Sequence, residues 1–283
     1  FPTETTSPTR IGPYRIETLL GQGSYGEVWR AVHERTGVRV ALKRLHRHLA
    51  VDPGAFTGFR KEIAAMVGID DPNVARILEY GNSEGVPWFA MELIDGETLR
   101  RNLERTGALP DEKAFAILAH VARGLAACHA AGVVHRDLSP SNIMLSGRAA
   151  RVVDLGLAHK FGASLTLTRQ AGTVLYMSPE HVTGKKLEPR SDLFSLGAVA
   201  HECLTGKAAF EGRSLDDIIG RIRDARCESL AALRPDLSLD AVQLVTALLA
   251  RDVGARPDNA LKVARAFERV AKTAATDRRR AAA

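Results

Sequence analysis

Residues 21–32 read Gly-Gln-Gly-Ser-Tyr-Gly-Glu-Val-Trp-Arg-Ala-Val, and the six residues after the last glycine decide how the chain begins to fold. A lone G-x-G-x-x-G run is a weak signal, because many such runs are ordinary turns. A dinucleotide-binding unit places the run between a strand and a helix. Here 27–32 continues as a strand, so the glycines sit at a strand-loop-strand junction. Lacking side chains, Gly21, Gly23 and Gly26 let backbone N–H groups come close to an anion.

Outward from this junction the pattern stays strand-like. Residues 14–20 form the preceding strand, 38–45 the following one, and 34–37 a hairpin turn. On the third strand Ala41 and Lys43 are two residues apart and share a face. Between 53 and 68 the apolar residues Phe56, Phe59, Ile63, Met66 and Val67 follow helical spacing, with Glu62 on the flank. Strands at 75–80 and 88–93 complete a five-stranded sheet. Beyond Gly96 helices are expected at 111–131, stopped by Gly132, and at 191–204, 215–222, 239–249 and 259–271. Strands come first and helices second, which makes an α+β protein of two lobes. The expected organisation is a flexible leader at 1–12, rich in Thr, Pro and Ser, and a domain at 13–272. Its smaller β lobe spans about 13–93 and its larger α lobe about 97–272. A basic tail or linker completes the chain at 273–283.

Composition narrows the class. Of 283 residues 45% are apolar and 25% charged, an ordinary globular balance with a sizeable core. The net charge is +6, but the arginines are scattered and form no stripe, which argues against a nucleic-acid partner. Cys128, Cys203 and Cys227 form neither a disulfide framework nor a zinc pattern and suit a reducing cytosol. No apolar run reaches the ~20 residues of a membrane span. The chain starts at Phe1, so a cytosolic piece of a longer, membrane-anchored protein is also compatible.

The densest chemistry lies at 135–142, His-Arg-Asp-Leu-Ser-Pro-Ser-Asn, with Asp154-Leu155-Gly156 soon after. These residues resemble the catalytic and metal loops of eukaryotic-like Ser/Thr protein kinases, in particular the compact kinases of that type in bacteria. The resemblance runs in order from Tyr14 to Phe267. It includes GTVLYMSPE at 172–180 and SDLFSLG at 191–197.

It implies a bilobal protein kinase fold that binds ATP with Mg²⁺, or Mn²⁺, and acts on protein substrates; it implies no oligomeric state. Asp137 would accept or orient the substrate hydroxyl proton, next to Arg136. Asn142 and Asp154 would offer the hard oxygen ligands that Mg²⁺ selects. Lys43 would hold the phosphates and pair with Glu62, with Met66 packed inward. The glycine flap, with Leu20, Val28 and Ala41, would enclose the nucleotide, and Met144 would also belong to the ATP-binding set. Met91 would sit at the back of the pocket, and the backbone from Glu92 to Ile94 would bond adenine. Thr173 would contact Asp137, Asp192 would steady the His135–Arg136 backbone, and Arg256 would pair with Glu180. His135 is read as a packed residue that satisfies backbone groups.

Four positions depart from the family pattern. Ser139 stands where a Lys usually contacts the γ-phosphate, so one transition-state cation is missing. Leu155 replaces the commoner Phe, Ser178 replaces Ala before Pro179, and His159 stands where Lys or Arg is frequent. The ending GTxxYxSPE marks the Ser/Thr type. Ser164, Thr166 and Thr168 are the expected phosphorylation sites, whose phosphate would meet Arg136 and order the segment. The rival readings are a pseudokinase scaffold and a small-molecule phosphotransferase of related fold.

Overall fold

The computed structural model describes residues 8–23, 26–47, 60, 63–155 and 174–281. They divide into two compact units, one made of described residues up to 70 and of 75–95, the other of 71–74, 96–155 and 174–281.

The first unit is a six-stranded antiparallel sheet. Its strands are β1 (Arg10–Ile11), β2 (Tyr14–Gly23), β3 (Gly26–His33), β4 (Arg39–Leu45), β5 (Ile77–Ser83) and β6 (Val86–Glu92), in the order β1-β2-β3-β4-β6-β5. The sequence pattern led to five strands and a leader through residue 12. The structure corrects both, because Ile11 pairs with Tyr14 and is buried among Tyr14, Trp29 and Trp88. Gly12, at φ +54°, makes the turn, and a Cβ there would fall 2.5 Å from the Trp88 ring. One apolar residue and one glycine are thus enough to draw the end of the leader into the sheet.

Strand pleating sorts the unit into two faces. Trp29, Ala31, Val40, Leu42, Trp88 and Ala90 pack together on one side. On the other, Val28 lies opposite Lys43, and Lys43 opposite Phe89. Ala41 lies opposite Met91 in the next such row. Directly paired residues share a face. The expected nucleotide contacts Val28, Ala41, Lys43 and Met91 therefore stand together, opposite the packed core. Residues 63–67 are helical, with Ile63 and Met66 buried.

The second unit is mostly helical. It comprises α1 (Leu99–Thr106), α2 (Asp111–Ala130), α3 (Pro179–Val182), α4 (Pro189–Thr205), α5 (Leu215–Arg223), α6 (Leu230–Leu233), α7 (Leu239–Leu248) and α8 (Ala260–Ala281). A small sheet joins β7 (Glu97–Thr98), β8 (Ile143–Ser146) and β9 (Ala149–Val152). Helix α4 is buried from Ser191 to Leu204, mostly apolar but with Asp192 and Glu202 among its buried residues. Phe194 stacks on Phe210 with ring centroids 5.5 Å apart, and α2 meets α8 through Phe115 and Phe267 at 6.1 Å.

Helix α8 overruns the expected stop at 271, so 273–281 is helix and not a loose tail. The segment holds no Gly or Pro, and its alanines favour helix. The hydroxyls of Thr273 and Thr276 donate to the carbonyls of Arg269 and Lys272 one turn back.

Candidate active site

In the second unit the loop after α2 is held from behind by α4. Gly132, at φ +74°, turns the chain out of the helix. The Asp192 carboxylate accepts the backbone N–H groups of His135 and Arg136, both at 2.8 Å, and lies 2.7 Å from His129 Nε2. Arg136 adopts φ +66°, a backbone region uncommon for a side-chain-bearing residue.

His135 is fully buried and bonded at both ring nitrogens. Nε2 donates to the Val153 carbonyl at 3.1 Å, and Nδ1 accepts the Asp137 N–H at 3.3 Å. Burial pushes its pKa below the usual imidazole value, outweighing the opposing pull of Asp192. It is a structural residue that ties the loop to the end of β9.

Asp137 is half-buried beside Asn142, whose amide donates to the Asp137 carbonyl at 2.7 Å and to its carboxylate Oδ2 at 3.2 Å. A single 3-10 turn, Pro140–Asn142, lifts Asn142 back to this position, and its backbone closes on the Ser139 carbonyl at 3.0 Å. The Val153 N–H then donates to the Asn142 carbonyl at 3.0 Å, continuing the β8–β9 pairing of Ile143 with Val152. Asn142 and Asp154 are thereby brought to the same open end of one hairpin. Asp154 has φ +58°, a conformation that Asp tolerates better than most residues. From the other side, Asn73 accepts the Val152 N–H at 2.8 Å and donates its amide to the Ala150 carbonyl at 3.1 Å.

The Ser178-Pro179-Glu180 segment is also built into this unit. Ser178 caps α3 by accepting the His181 N–H, which gives the Ala-to-Ser departure a structural use. Glu180 and Arg256 form a buried bidentate pair at 2.7 and 2.9 Å. Arg256 further donates to the carbonyls of Ala250, Arg190 and Arg251, so all five N–H groups are used. Burial would raise the Glu180 pKa, but hydrogen bonds from Arg256 and Ser191 hold it down at about 2.

Sequence reasoning missed one cluster. The Arg100 guanidinium donates to Glu202 at 2.7 Å and to the Tyr176 hydroxyl, which in turn donates to Glu202 at 2.5 Å. The available signal was Glu202 itself, a second carboxylate in a mostly apolar helix that requires a partner.

In the first unit Lys43 is half-buried on its strand. A Cβ on Gly21 would meet nothing within 4 Å among the described residues, which leaves its backbone approachable. At Gly26 a Cβ would fall 2.1 Å from the Arg44 carbonyl, so that glycine is required by its neighbouring strand. The expected loop is narrower than the sequence suggested, since β2 runs through Gly23 and β3 starts at Gly26. The Glu92 N–H donates to the Arg76 carbonyl at 2.9 Å, so of the 92–94 backbone expected to face adenine this N–H is already engaged. Leu20 is exposed, and Met144 lies on β8 of the other unit. Glu62, Gly156, His159, Ser164, Thr166, Thr168 and Thr173 lie outside the described residues.

Comparison with known proteins agrees with this arrangement. The family model described as "Protein kinase domain" matches residues 14–267. The chain is 34% identical over 267 residues to the Ser/Thr-protein kinase pkn2 of Myxococcus xanthus, covering 90% of this chain and 32% of that protein. It is 38% identical over 212 residues to the Ser/Thr-protein kinase PknA of Mycobacterium tuberculosis, covering 72% and 49%. It thus spans about a third to a half of these curated relatives. The crystal structure of the PknI kinase domain of M. tuberculosis superposes with a TM-score of 0.76 at 23% identity, over 95% of this chain and all of that one. A strand-built unit and a helical unit of this topology, with the site motifs in family order, lead to one assignment: the chain belongs to the protein kinase family, as a catalytic domain of the Hanks type with the bilobal α+β fold.

Proposed function

We propose that this chain transfers the γ-phosphoryl group of ATP to Ser or Thr hydroxyls of proteins. The observation that supports it most directly is the bonded series Asp137–Asn142–Val153–Asp154, in which one proton acceptor and two hard oxygen donors are fixed by a single loop and hairpin. In the reaction the substrate hydroxyl oxygen bonds to the γ-phosphorus while the bond to the β–γ bridging oxygen breaks. The hydroxyl proton passes to Asp137 and ADP leaves.

The donor set suits Mg²⁺, and Mn²⁺ by the same chemistry. With the Asn142 amide nitrogen directed to Asp137, its Oδ1 is the atom left for a cation, and Asp154 supplies a carboxylate. A cation held there would supply charge neutralisation to the phosphates. Lys43, carried on the sheet face with Val28, Ala41 and Met91, holds the phosphates, and Glu62 orients it. The hinge from Glu92 to Ile94 takes the adenine, and Leu20, Gly21, Gly23, Gly26 and Met144 complete the nucleotide contacts. Phosphorylation of Ser164, Thr166 or Thr168 would regulate the same site through Arg136. Among the described residues no helix is long and apolar enough to cross a membrane, and the reading places this domain in the cytosol.

The test is to incubate the chain with labelled ATP and Mg²⁺ and to map any phosphate by mass spectrometry. Phosphoserine or phosphothreonine on the chain or on an added protein supports the reading. Tight ATP binding with no transfer to any protein would replace it with the pseudokinase reading.

A further inference from the structure

Strand β4 ends at Leu45, and the next residue, His46, brings its Nε2 to 2.8 Å from the Gly23 carbonyl oxygen. A carbonyl only accepts, so Nε2 carries the proton; the neutral Nε2–H tautomer and the imidazolium both donate here. Gly23 belongs to β2, not to the neighbouring strand. It pairs with Gly26 of β3, and Gly26 pairs with Leu45. The imidazole therefore spans from β4 past a position with no side chain to reach the end of the glycine hairpin.

Beyond the β2–β3 ladder, which pairs it through Gly23 and Gly26, few described side chains meet that hairpin end. A Cβ on Gly23 would meet only the Gly26 carbonyl, at 4.0 Å, and one on Gly21 would meet no described atom within 4 Å. Gln22 reaches Glu27 along the hairpin at 3.4 Å, the outer limit for such a bond. Glycine also loses more backbone freedom on ordering than any other residue. A hairpin with this composition needs an external tether if its N–H groups are to be arranged before a phosphate arrives.

We infer that His46 is a positioning residue of the phosphate-binding hairpin, which clasps the Gly23 carbonyl and pre-orders the glycine segment for nucleotide. The inference rests on the ATP-dependent reading above. His46 acts through Gly23 and not on the reacting atoms, so its contribution belongs to nucleotide affinity and not to the chemical step.

The test compares the parent with His46→Phe, which keeps a ring without a donor, and His46→Gln, which keeps a donor without the ring. Amide hydrogen exchange at 21–28 in nucleotide-free protein is read beside KM for ATP, kcat and the melting temperature. A surface hydrogen bond of this kind predicts that His46→Phe raises KM for ATP roughly 2–10-fold, with kcat within about twofold of the parent. Exchange at 21–23 should quicken by a similar factor, and His46→Gln should restore both. Unchanged exchange and KM in His46→Phe would overturn the inference. So would a rise that His46→Gln fails to restore, since that would trace the effect to ring packing. The exchange measurement needs no turnover, so failure of the clasp and failure of the kinase reading are told apart.

Discussion

Asp192 Oδ1 accepts the backbone N–H of Arg136 at 2.8 Å, across 56 residues of chain, and so holds Arg136 at φ +66°. Without that bond the left-handed backbone would relax, since it costs an L-residue roughly 1–2 kcal/mol. Asp192→Ala should lower kcat about 10²-fold through misplacement of Asp137, with KM for ATP changed little because most of the proposed nucleotide contacts lie on the other unit. Steady-state kinetics with melting curves check this. A variant with normal kcat would detach Asp192 from the site.

Lys43 and Asp137 should separate in kinetics. Asp137→Asn keeps a side-chain oxygen beside Asn142 but cannot take a full proton, so kcat should fall by at least ~10²-fold at nearly constant KM for ATP. Lys43→Met removes the cation proposed to hold the phosphates and should depress kcat/KM for ATP at least as much. Near-parent turnover in either folded variant would show that its role is misassigned.

Arg256 uses all five of its N–H groups on Glu180 and three carbonyls, and it packs over the Phe194 ring at 5.0 Å. Arg256→Met leaves the Glu180 charge buried and unpaired, for an expected loss of about 3–5 kcal/mol in denaturant unfolding. The Glu180 pKa is depressed from the ordinary 4.5 to about 2. The stabilisation from this pair is therefore complete above about pH 4.5 and disappears as pH falls towards 2. Glu180→Gln should flatten the acid limb of the stability curve, and an identical limb in the two proteins would refute the linkage.

His135 titrates in the opposite chemical sense but with the same sign in stability. Burial keeps the folded imidazole neutral below its usual pKa of 6.5, while the unfolded chain takes up a proton there. Stability should fall as pH drops from 7.5 to 5.5, by up to ~1.4 kcal/mol per pH unit from this residue. Unfolding midpoints of the parent and His135→Asn at both pH values test it. The variant should lose less than the parent over that interval.

The motifs were legible because they are local. HRDLSPSN, the Asp154 segment and SPE each carry their residues within a few positions, and the alternation of 27–32 and 38–45 places Lys43 on a strand. The features that escaped depend on contacts distant in sequence. Ile11 joins the sheet because Tyr14, Trp29 and Trp88 offer it a surface, and the run before it is polar enough to pass for a leader. Arg100 gave no hint of Tyr176 and Glu202, which lie 76 and 102 residues away. Ser139 shows the limit most clearly. Its replacement of a lysine suggested a missing cation, but the residue is only 4% exposed, so a lysine there would have to leave a packed site before reaching any phosphate.

The β8–β9 hairpin carries Asn142 and Asp154 at its open end and turns at the other through Gly147, at φ +58°. Four paired residues at about 3.3 Å each separate the two ends by roughly 13 Å. The pairs from Ile143–Val152 to Ser146–Ala149 fix the register between them. A longer turn after Ser146 would lengthen the tip without moving the base. That tip is therefore a grafting position, where an epitope or fluorophore can be inserted to report on the domain while the two oxygen donors keep their spacing.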